Sequence, residues 1–261
     1  MNNILNKICE QKKIDLIEEK RKCSYQTLEK LLKINIKRDF KKILIKSQIE
    51  NKNNIIAEIK KASPSAGIIV ENYVPEVIAK KYEKSGVGAI SILTEMNFFQ
   101  GHLDHLSIVY NNCHLPILRK DFIIDPYQIL QSKIYKADAI LLIVSILSDN
   151  QIKEFIEIAN NINLDCLVEI HSEKELERAT KIGYPIIGIN NRNLKTLEIK
   201  YENNSIDFSD LLKDFTIVAE SGINNFEQIK KYNEKGIFNF LIGESILKSN
   251  HIEKKIKVLK G

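Results

Sequence analysis

The chain has 261 residues, 44% of them hydrophobic, which is enough to form a sizeable buried core. Its 39 basic and 34 acidic residues give a net charge of +5, but the lysines are spread along the chain beside glutamates, which indicates a solvated surface and argues against nucleic-acid binding. The longest apolar stretch, residues 137–147, is interrupted by Asp138 and is too short to span a bilayer, so no membrane partner is expected.

The first residues and the cysteines predict a cytoplasmic location. Residues 1–10 contain no apolar segment of the secretory type. The four cysteines, which have no Cys-x-x-Cys spacing, are Cys9, Cys23, Cys113 and Cys166. The absence of that motif favours reduced thiols over a zinc site or a disulfide framework.

Residues 1–50 are predicted to form a helical extension ahead of the main domain. Apolar residues with helical spacing occur in two places, at Ile4, Leu5 and Ile8 and then at Leu28, Leu31 and Leu32. Two or more amphipathic helices are therefore expected. They either cap the next domain or bind a partner, and capping is favoured because so short a segment buries too little apolar surface alone.

Eight short apolar runs follow and are predicted to be buried strands. They occupy residues 55–60, 89–95, 116–122, 139–145, 165–170, 185–190, 216–221 and 238–243. Polar segments with helical spacing lie between them, for example residues 75–84, 150–158 and 173–179. This alternation predicts an α/β chain with a (β/α)8 TIM barrel over residues 51–261.

Two other organisations suit a chain of this length. An open, doubly wound sheet would more often have a Gly-x-Gly-x-x-Gly turn after its first strand, and none follows Lys60. Two small domains would need a linker, and no segment rich in Gly, Ser or Pro interrupts the alternation after Ile55. The single barrel is therefore favoured.

Charged or amide residues occupy the C-terminal ends of most runs, where a purely structural strand would have another apolar group. In a parallel barrel these ends form the mouth that carries the active site. Glu58 and Lys60 share one face of the first run, and for that strand alone a structural ion pair is the alternative. The pattern recurs at Lys120, Glu169, Asn190, Arg192 and Glu220. Its repetition on so many strands predicts a catalytic site.

Glycines in two late loops predict an anion site, and phosphate is the first ligand to consider. Gly222 and Gly243 lie just past the seventh and eighth runs, where barrels commonly offer backbone N–H groups to a phosphate. Ser63-Pro64-Ser65 after the first run would add hydroxyl groups. Either glycine alone would indicate only a turn.

Aromatic residues follow the second and third runs. Phe98 and Phe99 come after the second, and Phe122 comes after the third. They are candidates for the wall of an aromatic pocket, and packing between a loop and a helix is the open alternative.

Together these residues resemble the indole-3-glycerol phosphate synthase family, from about residue 4 to the C-terminus. The most specific motifs are Glu58-Ile-Lys-Lys-Ala-Ser-Pro-Ser65 and Leu118-Arg-Lys-Asp-Phe122. Further motifs follow in family order, namely Leu93-Thr-Glu95, Phe99-Gln-Gly101, Val168-Glu169, Gly188-Ile-Asn-Asn-Arg192, Glu220-Ser-Gly-Ile223 and Leu241-Ile-Gly-Glu-Ser245. Glu-Ser-Gly-Ile also occurs in other phosphate-binding barrels. Ala66 stands where members often carry a basic residue.

The resemblance implies a lyase of tryptophan biosynthesis that needs no metal or organic cofactor. Its substrate is 1-(2-carboxyphenylamino)-1-deoxyribulose 5-phosphate, which it closes, decarboxylates and dehydrates to indole-3-glycerol phosphate. The resemblance makes Lys120 the general acid of ring closure and Glu169 an acid/base partner, with Glu58 a rival for the base. It makes Lys60 a contact of the substrate carboxylate with a further role in dehydration.

Other residues would bind or orient the substrate by the same resemblance. Those that orient hydroxyls and catalytic groups are Asn190, Arg192, Glu220 and Ser221. Those near the phosphate or otherwise in contact with the substrate are Ser63, Pro64, Gly222, Leu241, Gly243 and Glu244. Those that flank the aromatic ring are Phe99, Phe122 and Leu194.

Two alternative functions are weighed against this one. Another phosphate-binding barrel, such as phosphoribosylanthranilate isomerase, explains the glycine loops but not two inward lysines at Lys60 and Lys120. A basic RNA-binding scaffold with a degenerate site would not retain every candidate acid and base. We therefore expect a monomeric enzyme whose partner is a phosphorylated small molecule.

Overall fold

The computed structural model describes residues 4–33, 38–192 and 208–261. Within these ranges eight parallel strands close into a barrel. They are β1 Asn54–Ile59, β2 Ala89–Leu93, β3 Ile117–Lys120, β4 Ala139–Ile143, β5 Asp165–Ile170, β6 Ile186–Asn190, β7 Thr216–Glu220 and β8 Asn239–Ile242. Each strand pairs with its neighbours in chain order, and β8 pairs with β1 to close the ring. The predicted (β/α)8 barrel is thereby confirmed, and the open sheet is excluded.

Helices follow the strands and cover the outside of the barrel. They are α4 Pro75–Lys84, α5 Asp104–Asn112, α6 Pro126–Ile134, α7 Asp149–Asn161, α8 Glu173–Ile182, α9 Leu211–Asp214, α10 Phe226–Asn233, α11 Glu244–Leu247 and α12 Ile252–Lys260. Capping boxes begin α6, α7 and α10. In the described ranges no helix has both the length and the apolar character that crossing a bilayer requires.

Three helices precede the first barrel strand. They are α1 Ile4–Lys22, α2 Tyr25–Leu31 and α3 Phe40–Ile49. The helical nature predicted for this segment is confirmed, but the predicted apolar stripe is wrong at Leu31. Leu28 is buried, whereas Leu31, the last residue of α2, has a side chain that is 56% exposed.

Helix α3 closes the N-terminal end of the barrel. Its Phe40 is completely buried, and the helix contacts β5, β7 and β8. The backbone N–H of Arg38 donates to Asp138, and that of Lys41 donates to Asp165. These carboxylates, at the starts of β4 and β5, satisfy N–H groups at the beginning of the helix that have no intrahelical acceptor. Capping of the barrel, the favoured role for this segment, is therefore what α3 performs.

Helix α1 lies at the opposite, C-terminal end of the barrel. Leu5 and Ile8 are buried there and line a small cavity. One turn further on, the Lys12 ammonium lies 3.0 Å from the carboxylate of Asp121, which follows β3, and both side chains are buried. A buried ion pair fixes the relative position of the two elements that carry it. Lys12 therefore fixes how α1 lies across the barrel mouth.

Deleting residues 1–23 is expected to leave a folded barrel with a raised KM and a lowered melting temperature. The deletion removes Leu5, Ile8 and Lys12 from the mouth but keeps α3 at the other end. Steady-state kinetics and circular dichroism check both effects. A deletion that continued to residue 40 would also remove the buried Phe40 and confound the result. An unchanged KM beside a lowered melting temperature would show that α1 only shields apolar surface.

Candidate active site

A cavity of about 280 Å³ opens at the C-terminal end of the barrel, where this fold carries its active sites. It brings together all of the predicted catalytic residues, Glu58, Lys60, Lys120, Glu169, Asn190 and Glu220. Most of the predicted binding residues also line it, and these are Phe99, Phe122, Arg192, Ser221, Gly222, Leu241, Gly243 and Glu244. Residues that the sequence places up to 186 positions apart, from 58 to 244, thus share one space.

Two predicted binding residues line a neighbouring cavity, and a third cannot be placed because it is not among the described residues. Ser63 and Pro64 line the small cavity beside α1, which also contacts Phe99 and Phe122 and so adjoins the main cavity. The Ser63 hydroxyl accepts a hydrogen bond from the backbone N–H of Ala66, which shapes the loop after β1. Leu194 falls outside the described residues.

The centre of the main cavity is a cluster of three buried charged side chains from alternate strands. Lys120, at the end of β3, donates a hydrogen bond to Glu169 on β5. The same ammonium lies 3.1 Å from a carboxylate oxygen of Glu220 at the end of β7. The Lys120 side chain is 12% exposed and each carboxylate is 1% exposed. The Lys120 side chain is therefore more exposed to the cavity than its two carboxylate partners are.

Burial and mutual charge move the pKa values in this cluster apart. Burial lowers the pKa of Lys120, but the two carboxylates outweigh burial and hold it above its usual range. Burial raises the pKa of Glu169, but the positive charge of Lys120 and the nearby His171 outweigh it and lower the value to about 2. Burial, together with the charge of Glu169, raises the pKa of Glu220 well above its usual range. The cluster therefore keeps Lys120 as an ammonium and Glu169 ionised at neutral pH, and it favours the protonated form of Glu220.

A second pair of acid and base groups faces the cavity from β1. The Lys60 ammonium lies 2.5 Å from a carboxylate oxygen of Glu58, and both side chains are largely buried. Gly243 makes room for this carboxylate, because a Cβ atom there would lie 2.4 Å from Glu58 Oε1 and 2.9 Å from its Cβ. Gly243 therefore makes room for Glu58, which the sequence did not predict, and its contact with an anion stays a prediction.

A similar relation holds behind Glu220. A Cβ atom at Gly188 on β6 would lie 2.1 Å from Glu220 Oε1. Gly188 therefore leaves the space in which the Glu220 carboxylate turns toward Lys120.

Polar side chains after β6 connect the mouth to two loops. The Asn190 side-chain oxygen accepts a hydrogen bond from the backbone N–H of Arg192. The Arg192 guanidinium donates to the Ser65 hydroxyl after β1 and lies 3.7 Å from Glu244 after β8. Arg192 therefore holds two loops of the rim close to the cavity.

The loops after β7 and β8 offer backbone to the cavity. Ser221 and Gly222 both have left-handed backbone, with φ of 64° and 81°, which turns the chain sharply at the end of β7. The Ser245 hydroxyl donates to the carbonyl of Ile223 at 2.8 Å, and this hydrogen bond joins the two loops. The arrangement is of the kind that binds phosphate in barrels of this class.

One side of the cavity is aromatic. The rings of Phe99 and Phe122 have centroids 6.2 Å apart, within the range of a favourable aromatic pair. The buried carboxylate of Glu95 accepts hydrogen bonds from the backbone N–H groups of Phe98 and Phe99, which fixes the loop after β2. All three rings pack in or against the core, and Phe99 and Phe122 also line the cavity.

Sequence reasoning missed two titratable residues beside the site, Asp121 and His171. Asp121 lines the cavity and, besides its pair with Lys12, accepts hydrogen bonds from Thr94, Arg119 and the backbone N–H of Phe122. His171, just past β5, lies 3.4 Å from Glu169. Asp121 and His171 can be read from the sequence, in Lys-Asp-Phe and Glu-Ile-His. Which groups their side chains contact is shown only by the structure.

The closed parallel barrel, with acid and base groups gathered at the C-terminal mouth, defines a (β/α)8-barrel enzyme. The family model described as indole-3-glycerol phosphate synthase matches residues 5–259. The chain therefore belongs to the indole-3-glycerol phosphate synthase family.

Relatives with that name align with almost the whole chain. One from Acetivibrio thermocellus is 46% identical and covers 99% of this chain and 99% of its own. One from Aliarcobacter butzleri is 44% identical, with 99% of this chain and 98% of the relative covered. One from Endomicrobium trichonymphae is 42% identical, with 98% and 99% covered.

A solved structure supports the fold alone. A crystal structure of KGPDC from Streptococcus mutans superposes with a TM-score of 0.61 at 13% identity, and the match covers 80% of this chain and 96% of that one. The two proteins therefore share the barrel architecture.

Replacing Asp121 with Asn is expected to lower stability and to flatten its dependence on pH. Burial raises the pKa of Asp121, but the cations of Lys12 and Arg119 outweigh it and hold the pKa below its usual range. A carboxyl whose pKa is lowered in the folded state stabilises the protein above its unfolded pKa of about 3.9, and this contribution is lost as the pH falls further. Breaking such a buried pair costs about 3 kcal/mol at neutral pH.

Urea unfolding at pH 7, 5, 4 and 3 measures the effect. The wild type should lose more stability than Asp121→Asn between pH 5 and pH 3. Asp149→Asn is the control, since Asp149 is 52% exposed in its pair with Arg178. Parallel curves for the wild type and Asp121→Asn would contradict the assignment.

Proposed function

We propose that this chain catalyses the indole-3-glycerol phosphate synthase reaction of tryptophan biosynthesis. As a carboxy-lyase it closes, decarboxylates and dehydrates 1-(2-carboxyphenylamino)-1-deoxy-D-ribulose 5-phosphate to indole-3-glycerol phosphate. The observation that carries the proposal is the pairing of each cavity lysine with a carboxylate, Lys120 with Glu169 and Lys60 with Glu58. The reaction needs both acid and base groups in one cavity, and these pairs supply them.

Ring closure needs a proton donor at the ketone oxygen while the aromatic ring attacks the carbonyl carbon. Lys120 is charged, faces the cavity and is held at a fixed point by Glu169 and Glu220. It is therefore the general acid of this step. A donor that is already oriented does not have to be ordered in the transition state, which reduces the barrier.

Decarboxylation and dehydration follow on the closed ring. Lys60, just past the end of β1, binds the substrate carboxylate, whose loss as CO2 returns electrons to the ring. Departure of the hydroxyl as water then needs an acid, and removal of the ring proton needs a base. Lys60 assists the leaving hydroxyl, and Glu169 is the acid/base partner, with Glu58 the rival base beside Lys60.

The remaining cavity residues bind the substrate. The backbone around Gly222, Gly243 and Glu244 receives the phosphate, with Ser63 and Pro64 in the neighbouring loop and Leu241 below. Asn190, Arg192 and Ser221 orient the hydroxyl groups. Phe99 and Phe122 flank the anthranilate ring.

Two features favour this function over the alternatives from the sequence. An isomerase of the same fold has no use for two carboxylate-paired lysines that face one cavity. A degenerate scaffold for RNA has no need of the buried cluster around Lys120, because removing such charges from water carries a desolvation penalty of several kcal/mol for each ion.

We also propose the organisation of the whole protein. Residues 1–50 are an N-terminal helical extension, and residues 51–261 are the catalytic barrel. The enzyme is a monomer in the cytoplasm. Its partner is a phosphorylated small molecule, and it binds neither nucleic acid nor a membrane.

Fluorescence detection of indole formation from the synthetic substrate tests the function directly. The wild type should turn over, and Lys120→Met should lose at least about a hundredfold in kcat, because a positioned proton donor contributes that much. Lys133→Met is the matched control, since Lys133 is also buried but lies on α6 and donates to the carbonyl of Asn163. Near-normal turnover in Lys120→Met would remove Lys120 from the acid role.

Replacing Ser245 with Ala is expected to weaken the phosphate site. The change removes the hydrogen bond to the Ile223 carbonyl that joins the loops after β7 and β8. The KM and the inhibition constant of inorganic phosphate should rise together by about fivefold, as expected for a hydrogen bond worth about 1 kcal/mol. Ser249→Ala, beside His251 on the surface, is the control. A raised KM with unchanged phosphate inhibition would place the phosphate elsewhere.

A further inference from the structure

Four titratable side chains form a row from the cavity toward the surface. The row begins at Lys120, which donates to one oxygen of Glu169. The other Glu169 oxygen lies 3.4 Å from Nε2 of His171. On the far side of the imidazole, Nδ1 lies 3.6 Å from a carboxylate oxygen of Glu175 in the first turn of α8. The imidazole therefore lies between a catalytic carboxylate and a more peripheral one.

Exposure increases along this row from Glu169 outward. The Glu169 side chain is 1% exposed, that of His171 10% and that of Glu175 17%. Glu175 also accepts a hydrogen bond from the backbone N–H of His171, which ties the strand end to the helix. Glu175 thus connects the buried imidazole to solvent.

Charged groups flank the His171 imidazole on both sides. Glu169 faces it from β5 and Glu175 faces it from α8. Beyond Glu169 lie Lys120 and Glu220, and beyond Glu175 lies the positive charge of Arg178. No step from His171 toward Lys120 or toward Glu175 spans more than a few ångströms, and such contacts commonly shorten when substrate binds.

The reaction consumes a proton in every turnover, and this need rests on the proposed function. The ketone oxygen takes up two protons and leaves as water, while the methylene carbon that becomes part of the indole releases one. The carboxylate leaves as neutral CO2 and supplies no proton. Each turnover therefore takes up one proton from solvent in total. Lys120 has to regain a proton while substrate covers the cavity.

We propose that His171 carries this proton from the surface to the catalytic cluster. The imidazole takes a proton on Nδ1 from the side of Glu175 and releases one from Nε2 to Glu169, which passes it to the neutral amine of Lys120. No bond other than N–H and O–H bonds forms or breaks. His171 acts through Glu169 and does not touch the substrate. It is therefore a positioning residue, which delivers the proton to the catalytic group.

The charge state of Glu169 agrees with this path. Its pKa is lowered to about 2, because Lys120 and His171 outweigh the effect of burial. A carboxyl group of that acidity holds a proton only in transit. It therefore transmits protons between the imidazole and the amine and does not store them.

The test compares His171→Ala and His171→Gln with the wild type in the indole fluorescence assay. Each variant should lose about tenfold or more in kcat with KM within about twofold, a smaller loss than for a group that touches the reacting atoms. Millimolar imidazole should restore kcat in His171→Ala. The rate of both variants should rise with buffer concentration, whereas the wild-type rate should not.

Controls separate the relay from a structural role. His114→Ala should match the wild type, because the His114 side chain is 94% exposed and pairs with Glu83 away from the cavity. Glu169→Gln should be slow and unaffected by imidazole, because it breaks the path after His171. Melting curves by circular dichroism show that each variant is folded, and His171→Gln keeps the test available if His171→Ala unfolds.

The outcomes decide the proposal. A wild-type kcat in folded His171→Gln, or a loss in His171→Ala that neither imidazole nor buffer restores, would overturn the relay while the proposed function stands. A wild type that forms no indole product would overturn the proposed function itself and, with it, the demand for a proton.

Discussion

Lys120, held between the buried carboxylates of Glu169 and Glu220, is the interaction on which the rest of the site depends. Burying three ionisable groups is costly unless their geometry is good, and this geometry comes from three alternate strands whose register is set by the barrel. Gly188, on the strand between two of them, leaves room for Glu220. The result is an ammonium at a fixed place between two buried carboxyl groups, one of which is held ionised.

The N-terminal end of the barrel is closed by packing, whereas the C-terminal end carries the candidate active site. At the N-terminal end, Phe40 of α3 closes the barrel, and strand-start carboxylates such as Asp165 satisfy the beginning of that helix. At the C-terminal end, ion-paired acid and base groups line the cavity. Helix α1 belongs to this second end, where Lys12 reaches Asp121 beside Lys120. This buried ion pair connects the N-terminal extension to the loop after β3.

Much of this architecture was predictable from the sequence because it depends on local periodicity. The alternation of apolar runs and helical segments located the barrel, and the shared parity of Glu58 and Lys60 placed both at the mouth. The rest depends on contacts between distant strands. Gly243 was predicted as a phosphate glycine, yet its space is also occupied by Glu58, and His171 gains meaning only beside Glu169. No pattern within a single strand reveals such neighbours.

The central claim is that Lys120 and Glu169 act as one catalytic unit. The most direct measurement is a double-mutant cycle on kcat with Lys120→Met, Glu169→Gln and the double variant, using the synthetic substrate. Residues that act as a unit show strongly non-additive losses. We predict that the double variant is about as slow as the slower single variant. Losses that multiply, so that the double variant is slower by the product of the two single effects, would contradict the account.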